Sequence, residues 1–202
     1  MTRRTNRLLL VLSALLVLLV TPVAAQEEAT PEPLPTPPPY GDGAIVQLVK
    51  FFSPTCPHCH TVITETLPPI YEEHGGTPVT TYDQTIPAAD VAFYLMSNGR
   101  LQILFADTTT SAGQAMFRAD SVRLDIDSPG VPRMDIDDMY LVGSGDIPDQ
   151  LPGIVADGLA SEGIGWPEVP GLDEALAPFI EMGVVPELEP VAEPEAEEAP
   201  AA

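Results

Sequence analysis

An α/β domain, with a mixed central sheet and helices on both faces, is predicted by three observations. Ala44 to Phe52 and Leu101 to Asp107 are short apolar runs rich in β-branched and aromatic residues, as expected of strands buried on both faces. Each is followed directly by helix signals. Arg133 to Ile136 and Met139 to Val142 then flank Asp137-Asp138 as an antiparallel hairpin.

The elements follow in chain order. After Cys56-Pro57 the apolar residues Ile63, Leu67, Ile70 and Tyr71 recur at helical spacing, and Pro68-Pro69 is expected to break or kink that helix. Val79 to Tyr82 is compatible with a strand. Ala88 to Ser97 reads as a helix stopped by Asn98-Gly99. Behind the second buried strand, Ser111-Ala112-Gly113-Gln114 matches a capping box ahead of Ala115, Met116, Ala119 and Val122. Past the hairpin, Asp146 is expected to cap a helix with Pro148 in its first turn and Leu151, Ile154, Val155 and Leu159 on one face. The segment from Gly75 to Gly99 has no assignable role.

The ends have a different composition. Arg3, Arg4 and Arg7 precede the apolar run Leu8 to Val20, and a small-residue exit follows, so residues 1–25 read as a secretory signal peptide or N-terminal membrane anchor. Both options place the remainder outside the cytoplasm, where disulfides persist. Residues 26–42 form a proline-rich linker: six of the fourteen residues from Gln26 to Pro39 are proline, which favours an extended spacer. Residues 184–202 read as a disordered acidic tail, since six glutamates and no cation lie between Pro186 and Ala202. The folded domain is placed at 43–183. Across all 202 residues, 8 Lys+Arg oppose 30 Asp+Glu for a net charge of −22; without the three N-terminal arginines, five cations face 30 acids, or −25. A field of that sign repels phosphate backbones and anionic headgroups, which excludes nucleic acid as a partner.

The most informative passage is Phe51-Phe52-Ser53-Pro54-Thr55-Cys56-Pro57-His58-Cys59-His60, where a strand meets a helix start. Unpaired N–H groups and the helix dipole there favour the thiolate of Cys56. Pro57 suits the first helical turn, and Cys59, three residues on, is close enough to attack a mixed disulfide at Cys56. His58 between them can lend a hydrogen bond or positive charge to the sulfur. A structural staple is the weaker explanation: closing four residues contributes about 2 kcal/mol, against about 3 for fifteen and nearly 5 for a hundred.

Competing chemistries are also written there. Cys56-Pro57-His58-Cys59-His60 satisfies the pattern for covalent c-type haem attachment, with His60 as proximal ligand and Met96, Met116, Met134, Met139 or Met182 as distal ligand. The β-rich surroundings argue against a haem domain. A zinc site from Cys56, His58, Cys59 and His60 lacks a second pair at finger-like spacing. Asp125 to Gly130 begins like a calcium loop, but Pro129 and Ile136 occupy positions that need oxygen ligands, so turn chemistry explains it better.

The strand, Cys56-Pro57-His58-Cys59 opening a helix, and Gly130-Val131-Pro132 leading into a hairpin together resemble the thioredoxin-like fold over about Ala44 to Ala160. The resemblance implies a cis peptide at Pro132 beside the cysteines, with Val131 offering backbone groups to an extended substrate segment. Pro57 beside the pair is a further candidate contact for that substrate. The Cys-Pro-His-Cys motif is similar to that of periplasmic disulfide oxidants. SPTCPHC and the stretch from Leu141-Val142-Gly143 to Trp166-Pro167 resemble compact thioredoxin modules that accompany vitamin K epoxide reductase-type membrane proteins. One position departs from the pattern. Thioredoxins carry a buried acid six residues before the first cysteine, whereas this chain has Lys50, which either approaches the pair as a cation or snorkels from the strand end.

The resulting expectation is an extracytoplasmic thiol-disulfide oxidoreductase in which Cys56 is the nucleophile, Cys59 resolves, His58 tunes the pair, and Val131, Pro132 and Pro57 meet the substrate. Its partners would be protein thiols and disulfides, with a quinone-linked membrane protein to recharge it and no diffusible cofactor. Oxidation of clients is the favoured direction. The alternatives from other classes are a c-type haem electron carrier and a non-catalytic thioredoxin-like binding module.

Overall fold

The computed structural model describes residues 43–81 and 91–186. The signal or anchor, the proline-rich linker and all but the first residues of the acidic tail lie outside the described residues.

Among the described residues six strands form one mixed sheet: β1 (Val46–Phe52), β2 (Val79–Thr81), β3 (Phe93–Ser97), β4 (Leu101–Asp107), β5 (Arg133–Ile136) and β6 (Met139–Val142), in the spatial order β2-β3-β4-β1-β5-β6. β1 and β4, the two apolar runs, pair in parallel at the centre from Val46↔Leu101 to Phe52↔Asp107. The other strand pairings among the described residues are antiparallel, and Val46 adds an isolated parallel bridge to Ile164. All seven residues of β4 are buried, as befits a strand covered on both sides.

Alternation along β1 sorts the core into two layers. Val46 and Leu48, with Leu101, Ile103, Phe105, Met134 and Ile136, face one layer of helices. That layer holds a continuous helical run made of α1 (Pro57–Thr61), a π-helical turn (Val62–Thr66) and α2 (Leu67–His74), together with α4 (Gly143–Ala160). Val49 and Phe51, with Leu95, Leu104 and Ala106, face α3 (Ser111–Arg123) and α5 (Leu172–Glu181).

Several local expectations are corrected. The segment read as a helix over Ala88 to Ser97 contains β3 in its described part, while 82–90 lies outside the described residues. Leu95 and Ser97 are buried on one face of β3, and the strand pairs with both β2 and β4. Cross-strand pairing outweighs helix propensity there. Asn98-Gly99 consequently makes a hairpin turn: Asn98 Oδ1 accepts from the amides of Arg100 at 3.0 Å and Leu101 at 2.8 Å, with Gly99 at φ 88°.

Pro68 and Pro69 do not break their helix. The π-turn ahead of them widens the winding, and the amide of Leu67 reaches back to the Val62 carbonyl, so the prolines fall in the first turn of α2, where an amide is not needed. The cap of α3 is Thr110 rather than Ser111; its Oγ1 accepts from the Gly113 amide at 3.1 Å. α4 starts at Gly143, which leaves Asp146 inside its first turn instead of at the cap. Leu172–Glu181, unassigned above, is amphipathic, burying Leu172, Ala175, Leu176 and Phe179. Val184 and Val185, just past the boundary drawn at 183, are buried against it.

Candidate active site

The site begins where β1 stops. Beyond Phe52, the amide of Cys56 donates to the Ser53 carbonyl at 3.1 Å, which turns the chain into α1. Cys56 is the cap residue, with extended backbone angles of φ −87° and ψ 115°. Its Sγ accepts the Cys59 amide at 3.3 Å, and its carbonyl accepts the His60 amide at 3.1 Å as the first helical bond. A sulfur thus does what a serine or aspartate oxygen does at other helix starts. Pro57 follows in the first turn, exposed and with no amide to satisfy.

The two thiols have different surroundings. Cys56 is partly exposed, whereas Cys59 is fully buried under the helix that both residues begin. Burial, with the hydrogen bond it donates to Cys56, pushes the Cys59 thiol up to about 11, while the Ser53 amide and the Lys50 ammonium pull the other way. One sulfur meets solvent and the other is enclosed behind it.

The segment Val131-Pro132 crosses the exposed sulfur. The Val131 carbonyl accepts from Cys56 Sγ at 3.7 Å, across 75 residues of sequence, and the Val131–Pro132 peptide is cis. The Gly143 amide holds the Pro132 carbonyl at 2.8 Å, tying this loop to the start of α4. The residues named from sequence for a sulfur and its substrate, Cys56, Cys59, Pro57, Val131 and Pro132, therefore come from two chain segments that meet at one end of the sheet.

His58 is placed differently from expectation. It is exposed, and its Nδ1 is 2.9 Å from Ser144 Oγ in the first turn of α4; its described hydrogen bond goes to that hydroxyl and not to a sulfur. Ser144 carries no signal in the sequence, because its contact depends on how α4 packs against α1.

Lys50 does not snorkel. Its side chain is fully buried, and its Nζ has no hydrogen-bond partner among the described residues. It lies in β1 between Leu48 and Phe52 and opposite Met134, on the face covered by α1 and α4. Burial lowers it from 10.5 to about 8, and the charges of Cys59 and Cys56 draw it back up. Among the described residues, no group of three or more His, Cys, Asp or Glu is arranged to hold a metal, and no helix is long and apolar enough to cross a membrane.

No protein family model matches the chain, and no curated protein or solved structure matches it either.

Proposed function

We propose that the protein is an extracytoplasmic thiol-disulfide oxidoreductase of the thioredoxin-like kind, with Cys56 as nucleophile and Cys59 as resolving thiol. The observation that carries this reading is the pairing of a partly exposed sulfur with a buried one three residues on, under a carbonyl from a distant loop. A client disulfide or thiol reaches Cys56 alone. Attack forms a mixed disulfide there, and Cys59 then displaces the client, or leaves when the client attacks. The backbone beside Pro132 offers an extended client segment a place to pair next to the sulfur, with Pro57 on the other side.

Oxidation of clients remains the favoured direction, because a buried cation beside the pair supports whatever negative charge the reduced form carries. A cleaved signal would release the domain outside the cytoplasm, whereas an uncleaved anchor with its proline-rich spacer would hold it at the outer face of the cytoplasmic membrane, where a quinone-linked partner could recharge it. The haem reading fits poorly: Cys59 is fully buried and His60 exposed, so a thioether at one and an iron ligand at the other point to different environments.

Two measurements test the proposal. Cys59→Ala should accumulate mixed disulfides with protein thiols, resolvable on non-reducing gels, whereas Cys56→Ala should capture none. The wild-type pair should also equilibrate with glutathione. Absence of both captured partners and exchange would leave the non-catalytic binding module as the better account.

A further inference from the structure

Lys50 is the only lysine in the chain, and it is fully buried. An ammonium in that position costs free energy unless it is paired and hydrogen-bonded. Its Nζ makes no hydrogen bond among the described residues, and the titratable groups that act on it are the two cysteines. Of the other ionisable groups on the elements packed on this face, His58, His60, Glu65, Glu72 and Glu73 on the helical run and Asp146, Asp149 and Asp157 on α4 are exposed, His74 at the end of α2 is half-buried, and the buried Tyr71 donates its hydroxyl to the Met96 carbonyl at 3.2 Å. Arg133 and Asp135 of the adjacent strand belong to the opposite face, since Met134 between them is the residue paired with Lys50.

Resting on the exchange reaction proposed above, we propose that Lys50 is the acid–base partner of the resolving cysteine: its ammonium protonates Cys59 when the disulfide opens, and its amine takes the proton back before Cys59 attacks. Cys59 needs such a partner because it is buried away from solvent protons and is a reluctant thiolate. Lys50, lowered to about 8, can give up or accept a proton near neutral pH where an exposed lysine could not.

In client oxidation a client thiolate bonds to Cys56 Sγ, the Cys56–Cys59 bond breaks, and its electron pair departs on Cys59. Lys50 hands that thiolate a proton. A second client thiolate attacks the client sulfur of the mixed disulfide, releasing Cys56 as thiolate. Two electrons have passed from two client thiols to the pair, and solvent restores the Lys50 proton. In client reduction the same proton travels from the Cys59 thiol to neutral Lys50 before Cys59 displaces the client from Cys56.

The test follows closure of the glutathione mixed disulfide at Cys56 by rapid acid quench and mass spectrometry, from pH 6 to 10, in wild type and Lys50→Met. Wild-type closure should accelerate through pH 8. In Lys50→Met it should be about a hundredfold slower near pH 8, the lower range for positioned acid–base groups, and should keep accelerating toward pH 11. A second readout needs no variant. With lysine labelled with ¹³C, Lys50 supplies the sole lysine signal, and its titration midpoint should fall when the pair is oxidised, because the thiolate charge that raises it is gone. Closure in Lys50→Met with the wild-type pH profile, or one midpoint in both redox states, overturns the role of Lys50 and leaves the exchange reaction standing. A wild-type protein that never closes its mixed disulfide overturns both.

Discussion

The sheet holds a buried cation on each of its faces, and the protein treats the two in opposite ways. Arg133, on the face covered by α3, is surrounded: Asp120 bonds its Nη2, Ser121 Oγ accepts from its Nη1 at 2.9 Å, and Asp135 lies 2.9 Å from its Nε. Its guanidinium also stacks between Phe51 and Phe117, at 4.6 and 4.8 Å from their ring centres. Arg123 supports Asp120 from outside at 2.8 Å. Burial, with the hydrogen bond it shares with Asp120, pushes Asp135 up to about 8, against the pull of Arg133. Lys50 has none of this. A charge held by five neighbours is part of the scaffold, while a charge left bare beside two sulfurs is available for chemistry.

Removing each cation should sharpen that contrast. The largest effect is expected from Arg133→Met, which strands two buried carboxyl groups and should cost about 3–5 kcal/mol in denaturant unfolding. If it is tolerated at no cost, the cluster is not the clamp its geometry describes. Lys50→Met should act with the opposite sign. A drop from 10.5 to about 8 means that burying the charged form costs about 3 kcal/mol, so the variant should be more stable by roughly that amount at pH 7. The pH dependence has a definite direction. Between pH 8 and 10.5 the unfolded chain binds the lysine proton more tightly than the folded one, so the wild-type penalty shrinks as pH rises. The advantage of Lys50→Met should therefore fade across that window, measured as the difference between the two urea midpoints. Equal destabilisation by both substitutions would erase the distinction between the faces. The smallest effect is expected from Ser144→Ala, which removes an exposed hydrogen bond to His58 and should cost under about 1 kcal/mol. A larger loss would mean that the α1–α4 contact, and not the buried charges, carries the site.

Much of the site was legible because its logic is local. Cys56 and Cys59 three residues apart, Pro57 between them and an apolar strand just before them determine a capped helix start with one sulfur at its mouth. The central strands were equally plain, since β1 and β4 are buried on both sides and need no alternation to be recognised. β3 was not. Phe93 to Ser97 is compatible with either a helix or a strand until two neighbouring strands offer it hydrogen bonds.

The amino-acid order alone determined which residues could do chemistry: two cysteines at a helix start, and a valine-proline bend ahead of a hairpin. Only the folded chain decided what faces them. Val131 reaches Cys56 across 75 residues and Ser144 reaches His58 across 86, and both contacts follow from β5 pairing beside β1 and α4 packing on the same face of the sheet as α1. The same holds for the cations. Whether a lysine at a strand end reaches water or is sealed beneath two helices depends on layers contributed by distant segments, and no pattern within β1 encodes that.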